Sequence, residues 1–356
     1  MKEIFKNLKI VELASVLAGP SVGYFFSELG AQVIKIENPT NNGDITRSWK
    51  LKTEDANDKE SAYYWSVNGG KEICWLDLNI PSQIKNFYAL IKDADILICN
   101  FKKGDAQKLK ADYKTLSKIN NQLIWANING FGANSKRTAY DLILQAESGF
   151  MSMNGEPGSQ PVKMPVALID VLAGHQMKEA ILIALLHRFQ TGKGAEIHVS
   201  LFQSAIASLV NQATNWLIAN HLPKASGSLH PNIAPYGELF ETKDKQLITF
   251  AIGSNKQFIA LCALINYPNL ANDRNYSSNQ LRVKNRSQLY HILYNYINKI
   301  PFKKLFQSCL DKNIPIGKIR DLKEVFELPE AKEMLRNFEN KKKKITTVSG
   351  IAFKIK

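Results

Sequence analysis

Short β-branched runs alternate with amphipathic stretches over the first 130 residues, and this alternation constrains the fold more than any other feature of the chain. The predicted strands are Lys9–Leu13, Gln32–Glu37, Glu72–Leu78, Asp95–Phe101 and Gln122–Asn129. The predicted helices between them are Ser21–Leu29, Pro81–Lys92 and Asp105–Ser117. Strands and helices that alternate in this way form βαβ units with a parallel sheet and right-handed crossovers. The sequence therefore predicts an α/β fold.

The remainder of the chain is more helical and changes character at a linker. A long apolar helix, a strand and a further helix are predicted at Val171–Phe189, Ala195–Val199 and Leu201–Asn220. The segment Lys224–Ile233 is rich in Ser, Gly, His, Pro and Asn, which is typical of a linker. A hairpin over Tyr236–Ile252, turning at Thr242–Lys245, and helices at Lys256–Ile265, Arg286–Asn298 and Phe302–Lys312 follow.

These patterns predict three segments. Residues 1–223 form a large domain, residues 224–323 form a smaller α+β domain with its linkers, and residues 324–356 return to the large domain.

Charge and composition argue against several classes of function. The formal net charge is +14, but the basic residues are scattered, and the one dense run, Lys341–Lys344, is predicted to be a solvated surface turn. The sequence lacks the motifs of RNA-recognition sheets and zinc fingers, so no nucleic-acid partner is predicted. Its apolar runs are shorter than the roughly 20 residues of a membrane helix, and no signal peptide follows Met1. We expect a cytoplasmic protein without a membrane partner.

The cysteines do not predict a disulfide or a metal site. They are Cys74, Cys99, Cys262 and Cys309, which are far apart and form no C-x-x-C pair. Each is interpreted as a small buried apolar residue.

The segment Ala18–Gly23 follows the first predicted strand and raises the question of a nicotinamide dinucleotide site. That fingerprint is G-x-G-x-x-G, with an acidic residue about 20 positions later. Glu37 is suitably placed, but Gly19 and Gly23 have the spacing G-x-x-x-G, and Pro20 lacks an N–H donor. Because proline suits the first turn of a helix, we favour a strand-to-helix elbow and predict no NAD. A nicotinamide oxidoreductase stays a less favoured alternative.

The segment Val11–Trp49 (VELASVLAGPSVGYFFSELGAQVIKIENPTNNGDITRSW) carries a resemblance to a known family. Further matching segments, in order, are Asn68–Asn79, Ala94–Gly104, Asn129–Gly149, Ala167–Gly174, Thr191–Gln203, His230–Asp244 and Asn313–Val325. Together they resemble the family III CoA-transferases, which include formyl-CoA and carnitine CoA-transferases and have the α-methylacyl-CoA racemases as relatives. The resemblance implies a large domain with an open Rossmann-like sheet, a smaller domain on linkers, and an interlocked homodimer.

The resemblance also implies that Asp170, in the segment ALIDVLAG, is a covalent nucleophile. From the residues alone, an aspartate just before a predicted helix is most often an N-cap, and that alternative stays open. Both roles fit a carboxylate that the helix dipole holds ionised. Attack on an acyl-CoA would give an aspartyl-acyl anhydride and then an aspartyl-CoA thioester, which a second carboxylic acid resolves.

Contacts to coenzyme A are implied at the positions that match the family. These positions are Val16, Leu17, Lys71, Asn100, Phe101, Lys102, Lys108 and Arg137, with Lys136 as a neighbour of the last. Any single lysine among them could be an ordinary surface residue. Their grouping after predicted strand ends, where open α/β sheets bind ligands, supports the assignment.

Tyr140 and Asp141 are possible auxiliary residues that separate two activities. Racemases of this superfamily have a histidine at the position of Tyr140, and a phenol with a pKa near 10 is a poor base at neutral pH. We therefore expect CoA transfer between an acyl-CoA and a carboxylic acid, with an acyl-CoA racemase or epimerase as the alternative. Without the resemblance, Tyr140 is a packing aromatic residue and Asp141 an N-cap.

Overall fold

The computed structural model describes residues 3–340 and 343–355. It divides into two compact units. The larger comprises Met1–Met151, Lys163–Pro223 and Glu330–Lys356, and the smaller comprises Ser152–Val162 and Lys224–Pro329. Residues 152–162 thus group with the smaller unit, although they lie in the segment predicted to form the large domain. The roles given to the three predicted segments stay predictions.

The larger unit is built on a six-stranded parallel sheet. Its strands are β1 (Lys9–Glu12), β2 (Gln32–Glu37), β3 (Glu72–Trp75), β4 (Ile96–Cys99), β5 (Ile124–Asn129) and β6 (Ala195–Ser200). Their order is β3-β2-β1-β4-β5-β6, and every neighbouring pair is parallel. This is the Rossmann order, so the predicted α/β fold is confirmed. The order reverses between β1 and β4, where sheets of this kind form a crevice at the carboxyl ends of the strands.

Helices connect and cover these strands. They are α1 (Ala18–Glu28), α2 (Ala62–Asn68), α3 (Pro81–Lys92), α4 (Asp105–Lys108), α5 (Tyr113–Leu116), α6 (Asp141–Glu147), α7 (Phe150–Met153), α8 (Leu168–Thr191), α9 (Leu201–Ala207) and α10 (Val210–Ala219). Apolar side chains of α1 and α8 form one core with β1, β4 and β5, and Phe87 and Ile91 of α3 belong to a second. The central strands are almost wholly buried, as a parallel sheet covered by helices requires.

Two predicted helices are interrupted. The stretch Asp105–Ser117 forms α4 and α5, because Lys110 between them has φ +54°. The stretch Leu201–Asn220 is divided at Val210, which has φ +42°. A residue in the left-handed region cannot continue a right-handed helix, so both single-helix predictions are wrong.

The smaller unit contains an antiparallel sheet of β7 (Tyr236–Glu241), β8 (Leu247–Ala251) and β9 (Ile316–Lys318) in that order. The predicted hairpin corresponds to β7 and β8, and the short β9 was not predicted. Its helices are α11 (Asn255–Leu264), α12 (Asn279–Lys284), α13 (Arg286–Ile297), α14 (Phe302–Asp311) and α15 (Leu322–Val325). The residues Phe240, Phe250, Phe258, Leu261 and Leu293 lie in its core.

The C-terminal residues lie on the larger unit. After α16 (Pro329–Lys332), β10 (Leu335–Asn340) and β11 (Lys343–Val348) form an antiparallel pair. Glu28 of α1 accepts a hydrogen bond from Gly350 N (2.7 Å) and pairs with Arg336, and the Tyr24 hydroxyl lies 3.0 Å from Thr347 Oγ1. Lys341 and Lys342, half of the predicted basic turn, lie outside the described residues.

Within the described ranges, no helix is both long and apolar enough to cross a bilayer. The same part of the chain contains no group of three His, Cys, Asp or Glu side chains arranged to hold a metal ion.

Candidate active site

The loops at the switch point of the sheet line a cavity of about 230 Å³. Its residues follow β1, β4 and β5 or come from the starts of later helices. They are Ser15, Val16, Leu17, Ala18, Asn100, Phe101, Lys102, Ile128, Asn129, Gly130, Arg137, Thr138, Ala139, Tyr140, Asp170 and Leu201. The structure therefore brings Asp170 together with Tyr140 and with six of the predicted CoA contacts, Val16, Leu17, Asn100, Phe101, Lys102 and Arg137.

Asp170 is the third residue of α8 and is 8% exposed. The N-cap position belongs to Ala167, whose side chain makes no capping bond, so the N-cap alternative for Asp170 is wrong. Burial, together with the negative charge of Asp141, raises the pKa of Asp170 to about 7. The dipole of α8 therefore does not hold this carboxylate ionised as expected. Asp170 exchanges its proton close to neutral pH.

Asp141 is the residue that caps α8. Its Oδ1 accepts hydrogen bonds from the backbone N–H groups of Ile169 (2.7 Å) and Asp170 (3.4 Å). Tyr140, not Asp141, occupies the N-cap position of α6. Asp141 thus satisfies two N–H groups that Ala167 leaves open, and it places a negative charge beside Asp170.

Gln145 fixes the other side of Asp141 and was missed by the sequence analysis. It is fully buried; its Nε2 donates to Asp141 Oδ2 (2.6 Å) and its Oε1 accepts from Met164 N (2.8 Å). Its position four residues after Asp141, on the same face of a predicted helix, could have indicated the contact between the two side chains. Its contact with Met164 spans 19 residues and has no local signal.

Tyr63 of α2 was also missed, because it lies outside every segment that resembles the family. Its ring packs edge-on against Trp49, with centroids 5.1 Å apart. Burial, together with the negative charges of Asp170, Asp141 and Asp44, raises the pKa of Tyr63 to about 12. Its hydroxyl stays protonated at neutral pH and lies in the field of these carboxylates.

Two cations lie at the cavity. Lys102 Nζ donates to Thr138 Oγ1 (2.9 Å). Arg137 lies over the ring of Phe131, with its guanidinium carbon 3.8 Å from the ring centroid, and pairs with the exposed Glu147. Both side chains are solvent-accessible at the cavity and can meet an anionic ligand.

Lys71 and Lys108 are placed elsewhere. The Lys71 ammonium is enclosed by Glu12 (2.8 Å), Pro20 O (2.8 Å) and Asn68 Oδ1 (3.1 Å). Burial lowers the pKa of Lys71 to about 8. The predicted contact of Lys71 with CoA does not fit this position, because protein acceptors already surround its side chain. Lys108 ends α4 and does not line the cavity.

The two glycines considered above for a dinucleotide site allow close packing of a helix. Gly19 and Gly23 lie in α1, where a Cβ would come within 2.3 Å of Ala14 Cβ and 1.9 Å of Glu12 Oε2, respectively. They let α1 approach β1 and the loop that follows it, which confirms the strand-to-helix elbow.

Glu37 is not free to hold a ribose. Its two oxygens accept hydrogen bonds from Arg47 (2.7 and 3.0 Å) and from the Tyr64 hydroxyl (2.9 Å), and Asp44 N donates a further one (2.9 Å). The nicotinamide alternative loses the acidic residue on which it depended.

A second cavity of about 360 Å³ shares Ser15 and Phe101 with the first. Its lining is mixed. The apolar residues are Leu13, Ala14, Ile36, Leu76, Leu78, Phe101 and Leu109, and the polar and charged ones are Ser15, Lys35, Glu37, Asn38, Asn41, Asp44 and Asn79. Two cavities that adjoin in this way can hold the two ends of one elongated ligand.

A Rossmann-order sheet with a buried carboxylate and two cations at its switch point defines an α/β enzyme that acts on an anionic ligand. The model of CoA-transferase family III matches residues 5–356, and the chain belongs to this family. It is a CoA-transferase, of EC class 2.8.3.

Several relatives with curated functions are CoA-transferases. The chain is 36% identical to the succinate–glutarate CoA-transferase of Agrobacterium fabrum, covering 92% of this chain and 83% of the relative. It is also 36% identical to the succinyl-CoA:glutarate CoA-transferase of Mus musculus, covering 90% and 73%. The crystal structure of a CAIB/BAIF family protein from Brucella suis superposes with a TM-score of 0.87 at 34% identity, covering 99% of this chain and 93% of that one. The racemase alternative is not favoured by these relatives.

Proposed function

We propose that the chain moves coenzyme A from an acyl-CoA to a free carboxylic acid, with the Asp170 carboxylate as covalent nucleophile. The observation that carries this proposal is the position of Asp170, buried at the switch-point cavity with a pKa of about 7. A carboxylate with a raised pKa is poorly stabilised by its surroundings, so its ionised form is a better nucleophile.

Each step of the proposed reaction exchanges one anion for another. The Asp170 carboxylate attacks the thioester carbonyl, the C–S bond breaks, and the products are an aspartyl-acyl anhydride and the CoA thiolate. The thiolate then attacks the Asp170 side-chain carbonyl, an anhydride C–O bond breaks, and the donor acid leaves as its carboxylate. The aspartyl-CoA thioester that results is opened by the acceptor carboxylate, and the same two steps run in reverse.

Neighbouring groups hold the nucleophile for this chemistry. Asp141 binds the backbone N–H groups of Ile169 and Asp170 and so fixes the first turn of α8. The protonated hydroxyl of Tyr63 lies within electrostatic range of Asp170 and could donate to an oxygen on which negative charge develops. Burial around Asp170 limits the access of water, which would hydrolyse either covalent intermediate.

The two adjoining cavities support a placement of CoA. The adenine is placed against the apolar side chains of the second cavity, and the pantetheine passes Ser15 and Phe101 to bring the thioester to Asp170. Asn100 supports this route indirectly, because its side chain accepts from Ser15 N (3.3 Å) and donates to Ser15 O (3.0 Å). Val16, Leu17 and Lys102 line the same passage.

The acids we propose are dicarboxylic acids such as succinate and glutarate. Two relatives at 36% identity are named for these acids. Lys102 and Arg137 at the cavity are suited to the carboxylate that does not react.

We further propose that the protein works as a homodimer, as the resemblance implies. Large apolar side chains are exposed on α8 and α10, among them Ile183 (69%), Phe189 (89%) and Ile218 (80%). A second copy of the chain would cover such a surface. A cytoplasmic location stays a prediction.

The test is intact-mass analysis after incubation with succinyl-CoA. We expect a covalent adduct on the wild-type protein that reacts with hydroxylamine. Asp170→Ala should show neither this adduct nor transferase activity. Asp95→Asn is a matched control. Asp95 precedes β4 at the amino ends of the strands, away from the cavity, and pairs with Arg188 there. Full activity in Asp170→Ala would overturn the proposed mechanism.

A further inference from the structure

Four charged side chains are buried together beneath the first loop of the active site. They are Glu12, Lys35, Asp44 and Lys71, and each side chain is at most 1% exposed. Lys35 Nζ lies 3.0 Å from both Glu12 Oε1 and Asp44 Oδ2, and Lys71 Nζ lies 2.8 Å from Glu12 Oε2. Two carboxylates and two ammonium groups thus form one continuous network with no net charge.

The groups next to the loop are held in their charged forms. Burial opposes the ammonium of Lys35, but Glu12 and Asp44 raise its pKa above the ordinary value. Burial likewise opposes the carboxylate of Asp44, but Lys35 and the donors of Thr46 lower its pKa. Buried ion pairs are a weak source of stability, so a network of this size needs another reason to exist.

The network ends on the backbone of Val16. Val16 N donates to Asp44 Oδ2 (3.2 Å) and approaches Asp44 Oδ1 at 3.4 Å, and Lys35 Nζ donates to Ala14 O (2.7 Å). Val16 has φ +73°, a left-handed conformation that is an outlier for a β-branched residue. Such conformations persist only where the surroundings fix them.

Asp44 is itself held from the second strand. Its backbone N donates to Glu37 Oε2 (2.9 Å), and its Oδ1 accepts from Thr46 N (3.0 Å) and Thr46 Oγ1 (2.8 Å). Because β2 fixes Glu37 and Lys35, the loop after β1 is tied to a rigid part of the sheet.

We infer that Asp44 is a positioning residue for coenzyme A: its carboxylate keeps Val16 in the left-handed conformation and so sets the wall along which the CoA lies. Asp44 does not line the Asp170 cavity and acts on it through Val16, which does. Asp44 also lines the second cavity, and glycine at position 16 would not repair the loss of a direct contact with CoA there. The inference rests on the part of the proposed function that places CoA beside Val16, and not on the role of Asp170 as nucleophile.

The test combines Asp44→Asn with Val16→Gly. Asp44→Asn removes the negative charge without a change in size and leaves a single oxygen for the Lys35 ammonium, Val16 N–H and Thr46, so the hydrogen bond to Val16 is weakened. Glycine adopts a positive φ without a steric penalty, so the double variant keeps the loop in place without Asp44. Calorimetry gives the Kd of coenzyme A, and steady-state kinetics separate KM for succinyl-CoA from kcat.

We expect Asp44→Asn to raise both Kd and KM about tenfold, with a smaller change in kcat, because the hydrogen bond to the loop loses its charged acceptor. Adding Val16→Gly should return both constants to within about threefold of the wild type. Glu28→Gln is the matched control, since it neutralises a buried carboxylate that pairs with Arg336 and lies outside both cavities. It should lower the melting temperature without changing Kd.

Three results would contradict the inference. The first is an unchanged Kd in folded Asp44→Asn, and the second is a double variant that binds as weakly as Asp44→Asn alone. If Asp44→Asn does not fold, Thr46→Val removes one donor to Asp44 and keeps its charge. The third is found if Thr46→Val binds coenzyme A with the wild-type Kd, or if adding Val16→Gly to Thr46→Val does not return the Kd to the wild-type value. Failure of the wild-type protein to bind coenzyme A would instead refute the proposed placement of CoA.

Discussion

Two carboxylates meet at the start of α8 with different tasks. Asp141 accepts hydrogen bonds at both oxygens, whereas Asp170 faces the cavity and titrates near pH 7. The same contact that caps the helix brings a negative charge to Asp170. The properties of the nucleophile thus depend on how its own helix begins.

The raised pKa of Asp170 makes the stability of the protein depend on pH. Below pH 4 the residue is protonated in both the folded and the unfolded chain, so burying it does not lower the stability of the fold. As the pH rises from about 4 to about 7 the unfolded chain ionises first, so stability is lost, by at most about 4 kcal/mol for a shift of about 3 units. Asp170→Asn should therefore stabilise the fold at pH 8 and have little effect at pH 4, as measured by urea unfolding. An equal effect at both pH values would contradict the burial argument.

Neutralising Asp141 should shift the activity profile towards lower pH. Asp141→Asn keeps an oxygen for Ile169 N but removes the charge that helps to raise the pKa of Asp170. We expect the acidic limb of kcat/KM to move down by up to about one unit. Tyr63→Phe is the control for this limb, since the Tyr63 pKa of about 12 lies outside the range. A limb that stays in place in Asp141→Asn would show that another group controls it.

The elements around the site are joined by close contacts that glycine permits. Gly23 of α1 lies against the carboxylate of Glu12, which Lys35 and Lys71 hold from two other directions. The helix, three strands and the buried charges therefore form one packed layer beneath the active-site loop.

Gly23→Ala should destabilise the fold, although alanine usually stabilises a helix by about 1 kcal/mol relative to glycine. The new Cβ would lie 1.9 Å from Glu12 Oε2, and Glu12 cannot move without weakening its buried ion pairs with Lys35 and Lys71. We expect a loss of about 2 kcal/mol or more in the free energy of unfolding. Gly253→Ala is the control, because the nearest atom to its Cβ is 3.8 Å away. A stabilised Gly23→Ala would be the opposite of this prediction.

The sequence predicted a helix or strand correctly where the spacing of its apolar residues agreed with the residues that mark its ends. The strand Gln32–Glu37 and the helix Pro81–Lys92 have the predicted bounds. The interruptions at Lys110 and Val210 escaped prediction because neither is a glycine or an asparagine, the residues that usually mark a left-handed position.

The site was predictable only in part. Residues that follow strands β1, β4 and β5 converge by topology, which is why Val16, Asn100 and Tyr140 lie together. Lys71 could not be placed correctly, because its enclosure by Glu12 and Asn68 depends on tertiary contacts. The link from Asp141 to the start of α8 joins residues 28 positions apart and has no local signature.

At the scale of the whole molecule, the exposed apolar side chains of α8 and α10 are the basis of the proposed homodimer. We expect the 40.0 kDa chain to sediment at about twice its mass. Ile183→Glu should produce monomer or insoluble protein, because a charge cannot be buried in an apolar interface without a partner. Gln190→Glu, at an exposed polar position of the same helix, should leave the dimer intact. A monomeric wild-type protein would contradict the proposed dimer.

The way Asp141 is bound has a consequence for the carbon next to the thioester. Moving a hydrogen at that carbon needs a group that is free to take it, but Asp141 is engaged by Ile169 N and Gln145 Nε2, and Tyr140 is a phenol. An acyl-CoA labelled with deuterium at C2 should therefore keep its label through many turnovers in ordinary water. The enzyme would transfer coenzyme A and leave the configuration at C2 of its substrate acids unchanged.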